Sequence, residues 1–188
     1  AAKPAQLQMV WPVEQDIAVL NYNLPSEYEI RPFRPGDEQA YVSLMQKSGF
    51  ETWGEAQVVS TVKQALPDGI FFVVHKATGK LVATACAQHS PAALHPAGGQ
   101  LGWVASDPEH RGKRLSAAVC AESVKRHLSA GYKRIFLLTD DFRLPAIKTY
   151  IRQGWKPYLF EKGMKERWVD VLEKLEIGAA WLEDNAVE

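Results

Sequence analysis

The amino-acid sequence predicts an α+β domain with a mixed, mostly antiparallel central sheet flanked by helices. Three observations support this fold class: the size of the apolar fraction, a hairpin pattern in the first half, and a strand–loop–helix–strand order in the second half. With 188 residues, 46% of them hydrophobic, the chain suits one compact core. We therefore treat 1–188 as a single domain, with a core at about 27–160, an N-terminal leader at 1–26 and a C-terminal helix within 161–188.

In the first half of the core, the sequence pattern predicts strands and helices followed by a hairpin. The strands are indicated by β-branched and aromatic runs, and the helices by apolar residues at helical spacing. Pro67-Asp68-Gly69 is a strong turn signal after the second helix. The predicted elements are a strand at 27–35, a helix from Gly36-Asp37 that carries Tyr41, Leu44 and Met45, a helix at about 55–65, hairpin strands at 70–75 and 81–89, and a third antiparallel strand at 100–106.

The second half of the core changes to a strand–loop–helix–strand pattern. A helix from about 115 to 130 is predicted by an apolar stripe at helical spacing, and Gly131 ends it. The run RIFLLT (134–139) is almost fully apolar, as is typical of a strand buried on both faces. The remaining predictions are a helix with Pro145 in its first turn that stops at Gly154, a last strand at 155–160, and an amphipathic helix at 164–175.

The composition excludes several functional classes. Lys plus Arg equals Asp plus Glu, at 22 each, so no net charge draws the chain to nucleic acid or lipid. No apolar run approaches the length of a membrane span, and AAKPAQLQMVWP lacks the pattern of a signal peptide. Cys86 and Cys120 lie in apolar segments without metal-ligand spacing, which predicts buried reduced thiols. We expect a cytoplasmic protein with no membrane, nucleic-acid or metal partner.

One segment of the chain is nevertheless strongly basic. The run His110-Arg111-Gly112-Lys113-Arg114 joins a predicted strand to a predicted helix. The first N–H groups of a helix lack internal partners and carry the positive end of its dipole. A phosphate group placed there gains backbone hydrogen bonds and nearby cationic side chains. A solvated helix face and a nucleic-acid-binding surface are alternative interpretations of the same charges.

Two motifs in this half resemble those of the GCN5-related N-acetyltransferase (GNAT) superfamily. The segment from Pro108 to Ser116 is similar to the acetyl-CoA motif Pro-x-x-Arg-Gly-x-Gly-x-Gly, and the segment from Ala146 to Trp155 resembles Ala-x-x-x-Tyr-x-x-x-Gly-Phe. The resemblance covers about 27–160. It implies a GNAT-like acyl-CoA N-acyltransferase fold, and transfer of an acetyl group from acetyl-CoA to an amine by direct attack in a ternary complex.

This sequence departs from the family pattern at three positions. Arg114 and Ser116 replace the second and third loop glycines, and Arg143 stands where the family often has asparagine. An arginine at position 143 is long enough to reach a phosphate of coenzyme A. The altered glycine pattern also leaves open a catalytically weak acyl-CoA-binding or sensing module as an alternative function.

The resemblance implies roles for individual residues. Backbone groups on the strand before the loop would hold the pantetheine arm and polarise the thioester carbonyl, and the loop would hold the pyrophosphate. Tyr150 matches the tyrosine that protonates the coenzyme A thiolate, although a core aromatic would show the same apolar neighbours. The implied cofactor-binding residues are Val104, Ala105, Ser106, Arg111, Gly112, Lys113, Arg114, Leu115 and Ser116.

The general base has several candidates. Histidine titrates near neutrality, so His89 at a strand end is one candidate, flanking the acceptor site together with Gln100. Asp140 and Asp141 follow the buried strand, although capping of the next helix competes with that role. A relay through water would need no dedicated base. The aromatic residues that would line an acceptor pocket, or else belong to the core, are Phe50, Trp53, Trp103 and Tyr158.

The acceptor is expected to be a small-molecule or protein amine. Its identity is not encoded in any recognisable motif, because the segments that would shape its pocket, about 45–67 and 89–99, match none. No residue set predicts a metal site or a Ser/His/Asp triad. The acyl-chain preference and the oligomeric state, including a homodimer, stay open.

Overall fold

The computed structural model describes residues 2–188, which form a seven-stranded sheet covered by helices. Short 3-10 turns lie at Ile17–Leu20 and Pro108–His110. In chain order the elements are β1 (Leu7–Val10), β2 (Tyr28–Pro32), α1 (Glu38–Lys47), α2 (Glu55–Gln64), β3 (Ala65–His75), β4 (Lys80–His89), β5 (Gly99–Ser106), α3 (Leu115–Ser129), β6 (Ile135–Thr139), α4 (Leu144–Arg152), β7 (Lys156–Pro157), α5 (Met164–Lys174) and α6 (Ala179–Asn185).

The strand order of the sheet is β2-β3-β4-β5-β6-β1-β7. The neighbours β5 and β6 run parallel, and the other pairs run antiparallel. This confirms the mixed, mostly antiparallel sheet predicted from the sequence. The β5–β6 ladder comprises only Gly99↔Ile135 and Gln100↔Phe136. Beyond this point the two strands diverge and leave a gap in the middle of the sheet.

The sheet buries a separate apolar layer on each face. Because side chains alternate along a strand, Phe72 and Val74 of β3 pack with the layer that includes α1 and α2, while Val73 packs with the layer that includes α3. The α3 layer extends to α5, whose Trp168 is fully buried. Helices on both faces therefore hold the diverging strands in place.

The structure differs from the sequence predictions in four elements, one of which is α6 (Ala179–Asn185), a second C-terminal helix that the sequence analysis did not assign. The predicted turn at Pro67-Asp68-Gly69 lies inside β3, where it forms an irregularity in the pairing with β4, because Ala65 already pairs with Gln88. The predicted strand at 155–160 shortens to Lys156–Pro157. The leader contains β1, which the sequence analysis did not assign and which lies between β6 and β7.

Candidate active site

A bulge interrupts β5 next to the gap in the sheet. The pairing moves from Cys86↔Gly102 to Thr84↔Ala105, so that Trp103 and Val104 stand opposite a single residue of β4. Trp103 has a φ of 50°, a left-handed conformation that is strained for a bulky side chain. Bulges leave backbone groups outside the ladder and often lie beside active sites. From Val104 to Ser106 the edge of β5 that faces the gap has no strand partner, because β6 pairs with β5 only at Gly99 and Gln100, so this backbone is available to a ligand in the gap.

Two cavities meet at this gap. The first, about 540 Å³, lies beside the basic loop and the start of α3, and we call it the α3 cavity. The second, about 380 Å³, is lined by Gln6, Gln64, Gln88 and Gln100, and we call it the glutamine cavity. Three residues line both cavities: Val104, Arg143 and Tyr150. The two spaces are therefore in contact at the point where β5 and β6 separate.

The N-terminus of α3 opens onto the α3 cavity. No side chain caps this helix, so its first N–H groups have neither a helical partner nor a side-chain acceptor. Gly112 has a φ of 82°, and Arg114, the residue before the helix, has a φ of 56°. The backbone conformation therefore explains why the family pattern has glycine at position 114, because glycine adopts the left-handed region without steric cost. Arg114 adopts this conformation despite its Cβ.

Eight of the nine predicted cofactor-binding residues line the α3 cavity. They are Val104, Ala105, Ser106, Arg111, Gly112, Arg114, Leu115 and Ser116. Lys113 is the exception, because its Nζ donates a hydrogen bond to Tyr28 Oη at 3.1 Å and lies 5.4 Å from the centre of the Tyr28 ring. The same hydroxyl is 2.7 Å from Nδ1 of His110, which does line the cavity. Lys113 thus ties the loop to β2 instead of facing the cavity.

Tyr150 lies where the two cavities meet. Its side chain is 5% exposed, and burial raises the pKa of its hydroxyl well above the usual value, with Cys120 adding to the rise and Arg143 opposing it. Tyr150 therefore stays protonated at neutral pH, and its hydroxyl is a weaker acid than that of an exposed tyrosine. Cys120 also lines the α3 cavity, and burial raises the pKa of its thiol to about 12. This thiol is the buried, reduced group that the sequence predicts.

The glutamine cavity depends on a close approach between β4 and β5. Gln88 is 3% exposed, and its Nε2 donates to Gln64 Oε1 at 3.3 Å. A Cβ on Gly102 would collide with the Gln88 carboxamide. Glycine at position 102 therefore lets this carboxamide lie across β5. Phe50 and Trp103, with rings 5.5 Å apart, add an apolar wall.

Asp140 and Arg143 form an ion pair in the glutamine cavity. Arg143 Nε lies 3.4 Å from Asp140 Oδ2, and Gln6 Nε2 donates to Asp140 Oδ1 at 3.3 Å. The guanidinium of Arg143 is 5.3 Å from the centre of the Phe50 ring, which belongs to the glutamine cavity alone. The guanidinium of Arg143 thus contacts residues of the glutamine cavity, although Arg143 also lines the α3 cavity.

A family model for the acetyltransferase (GNAT) family matches residues 38–155. The chain belongs to the GNAT acetyltransferase family. The match includes the bulged strand β5, the basic loop and Tyr150, and so covers most residues of both cavities. It confirms the resemblance that the two sequence motifs indicate.

Solved structures show the same fold at low identity. A GCN5-related N-acetyltransferase from Sphaerobacter thermophilus is 23% identical over 82% of this chain, with a TM-score of 0.65. A tandem GNAT protein from the clavulanic acid biosynthesis pathway and a GNAT acetyltransferase from Colwellia psychrerythraea are each 16% identical over 84% of this chain, with TM-scores of 0.64. The chain spans 49%, 51% and 54% of these three structures, or about half their length. A search of curated proteins found no match.

Two of the candidates for the general base lie outside both the α3 cavity and the glutamine cavity. His89 is at the exposed end of β4, where a ring nitrogen lies 2.7 Å from Tyr132 Oη, and it lines neither cavity. Asp141 binds Arg167, whose guanidinium lowers the pKa of that carboxyl. The expected capping of α4 is wrong, because no side chain caps this helix. Asp140 lines the glutamine cavity instead.

The aromatic candidates divide between the cavity and the core. Phe50 and Trp103 line the glutamine cavity, together with the predicted Gln100. Trp53 is buried beneath Trp103, with their rings 5.2 Å apart. Tyr158 lies elsewhere, 4.9 Å from the Arg134 guanidinium. Sequence reasoning missed Gln6, Gln64 and Gln88, because each stands on a different element and no local motif marks them.

Within residues 2–188, no group of three or more His, Cys, Asp or Glu side chains is arranged to hold a metal ion. No helix in the same part of the chain is both long enough and apolar enough to cross a membrane.

Proposed function

We propose that this GNAT protein transfers an acetyl group from acetyl-CoA to an amine by direct attack in a ternary complex. The cofactor binds in the α3 cavity, and the amine binds in the glutamine cavity. The observation that carries the proposal is the shared lining of the two cavities by Val104, Arg143 and Tyr150. Two substrates bound in separate cavities can therefore meet beside the buried tyrosine.

The α3 cavity fits a pyrophosphate-containing cofactor. Its uncapped helix N-terminus supplies backbone donors, and Arg111 and Arg114 supply positive charge. The segment from Val104 to Ser106, whose gap-facing edge has no strand partner, offers backbone groups to the pantetheine arm. Acetyl-CoA, when bound, supplies an acetyl group activated as a thioester.

Three groups of this chain support the transfer. Backbone N–H groups of the β5 bulge polarise the acetyl carbonyl and stabilise its developing negative charge. Asp140, the carboxylate of the glutamine cavity, accepts a proton from the acceptor ammonium directly or through a water. Tyr150, which lines both cavities, gives its proton to the departing sulfur.

The test combines a binding assay with a transfer assay on the full chain. Acetyl-CoA is expected to raise the melting temperature, and an amine panel is expected to release coenzyme A thiol from it. Acetyl-CoA incubated with the protein in the absence of an amine is the control for thiol released by hydrolysis. Stabilisation by acetyl-CoA with no thiol release from any amine would instead indicate the acyl-CoA-binding module. An unchanged melting temperature would contradict cofactor binding altogether.

A further inference from the structure

The glutamine cavity has a lining without net charge. Of the side chains that line it, Asp140 and Arg143 are the charged ones, and they carry opposite signs. The other polar groups are mainly the neutral carboxamides of Gln6, Gln64, Gln88 and Gln100. A carboxamide both donates and accepts hydrogen bonds, so this lining suits a polar ligand that carries groups of both kinds.

This charge pattern discriminates between classes of amine. A polyamine or a lysine-rich peptide brings several positive charges and needs an excess of carboxylates for complementarity. Here the single carboxylate is already balanced by Arg143, so a purely cationic ligand gains little attraction. A zwitterion offers a partner to each member of the pair, because its ammonium faces Asp140 and its carboxylate faces Arg143.

The geometry limits how far apart the two ligand charges lie. Asp140 Oδ2 and Arg143 Nε are 3.4 Å apart, so the ammonium and carboxylate that meet them must also be neighbours. Both groups line the same cavity as Tyr150, beside which the amine attacks. An amine and a carboxylate on the same carbon satisfy this spacing in every conformation, whereas a long-chain ω-amino acid must lose conformational entropy to bring its two ends together.

We propose that the glutamine cavity binds a free α-amino acid as the acetyl acceptor. Asp140 contacts the ammonium, Arg143 contacts the carboxylate, and the carboxamides of Gln64, Gln88 and Gln100 contact the remaining polar groups. The proposal rests on the proposed acetyltransferase function.

The α-nitrogen forms a bond to the acetyl carbon as the carbon–sulfur bond breaks, and the sulfur keeps the bonding electron pair and takes a proton from Tyr150. The ammonium loses two protons in total, one to Asp140 or water and one to restore Tyr150, which gives an N-acetyl amino acid, coenzyme A thiol and one net proton.

Matched triplets of ligands test the carboxylate requirement. Each triplet shares one side chain and comprises the α-amino acid, its α-amide and the decarboxylated amine. Binding is followed by the change in tryptophan fluorescence in the presence of coenzyme A, to which Trp103 contributes because it lines the cavity. Turnover is followed by thiol release from acetyl-CoA. We expect kcat/KM for the amino acid to exceed that of both analogues by about tenfold or more, because both analogues lose the charge-assisted hydrogen bond between the carboxylate and Arg143.

Two variants, one just before α4 and one within it, test whether Arg143 causes this preference. In Arg143→Gln the ratio of kcat/KM between amino acid and amide is expected to fall toward one. Lys148→Gln removes the same charge from an exposed position of α4 that lines neither cavity, and it should keep the wild-type ratio. The melting-temperature shift with acetyl-CoA, measured for each variant, separates loss of the preference from loss of the cofactor.

The outcomes distinguish failure of this inference from failure of the proposed function. If the amides and decarboxylated amines are acetylated as well as the amino acids, the inference is wrong and the acetyltransferase function stands. If no ligand releases thiol although acetyl-CoA binds, the proposed function is wrong. The fluorescence titration then decides whether the glutamine cavity binds amino acids. Quenching by amino acids that is lost in Arg143→Gln would then support the binding site, and no quenching would overturn it.

Discussion

The α3 cavity and the glutamine cavity share three residues but are built in different ways. The α3 cavity uses mainly backbone: the uncapped N-terminus of α3, the left-handed residues Gly112 and Arg114, and the bulged strand β5. The glutamine cavity uses side chains from widely separated parts of the chain, including Gln6 before β1, Gln88 on β4 and Asp140 after β6.

This difference explains which half of the site a sequence reveals. A backbone-built phosphate site needs particular conformations over consecutive residues, so it produces a local motif with glycines at fixed spacing. A site built from distant side chains leaves no such pattern, and its composition is free to vary with the ligand. Changes in the glutamine cavity should therefore alter the choice of amine, and changes in the α3 cavity should alter cofactor binding.

The largest expected effect comes from Tyr150, which belongs to both cavities. Tyr150→Phe keeps the ring and its packing beside Trp155, so acetyl-CoA affinity and melting temperature should change little. Turnover should fall by about 100-fold, because the departing sulfur loses its proton donor. Steady-state kinetics with saturating acetyl-CoA measure this loss. A variant that melts much earlier, with cofactor affinity lost in parallel, would instead make Tyr150 a core aromatic.

Gly102→Ala is expected to have a large effect that is confined to binding of the amine. The added Cβ displaces the Gln88 carboxamide, which is the end of a side chain that can rotate, so the damage falls on the cavity more than on the fold. We expect KM for the amine to rise by about tenfold, as for a lost set of polar contacts, with the Kd of acetyl-CoA unchanged. Gln88→Ala is the matched control.

The double variant of these two positions completes a cycle. If Gly102→Ala acts through Gln88, adding it to Gln88→Ala should cost nothing further, because residues that act as one unit are not additive. Additive losses in KM would show that Gly102 matters for another reason, such as the neighbouring bulge.

A smaller effect, on the cofactor alone, is expected from two cations of the basic loop. Arg111 lines the α3 cavity, whereas Lys113 is bound to Tyr28. Arg111→Ala should weaken acetyl-CoA binding by about fivefold, a modest value because this side chain is exposed and its charge is screened. Lys113→Ala should leave the Kd nearly unchanged. Equal losses in both variants, measured by calorimetry, would contradict the division that the structure makes between them.

The sequence predicted the fold through elements whose ends are marked by local chemistry. Pro145 and Gly154 bracket α4 as expected, and Gly131 ends α3 in a left-handed conformation. The strand β1 was missed because it has only four residues and gains its stability from pairing with distant β6 and β7. The orientation of Lys113 was equally hidden, since it depends on a tyrosine 85 positions earlier.

The smallest expected effect concerns Arg114, where backbone and side chain act in opposite directions. Arg114→Gly removes the strain of a left-handed residue with a Cβ, so the free energy of unfolding should rise by about 1 kcal/mol. The same change removes a guanidinium from the α3 cavity, so acetyl-CoA should bind about threefold more weakly. Arg114→Ala separates the two contributions, because it loses the guanidinium and keeps the strain. Chemical denaturation and calorimetry on both variants measure them, and tighter binding in Arg114→Gly would mean that the arginine obstructs the phosphate site.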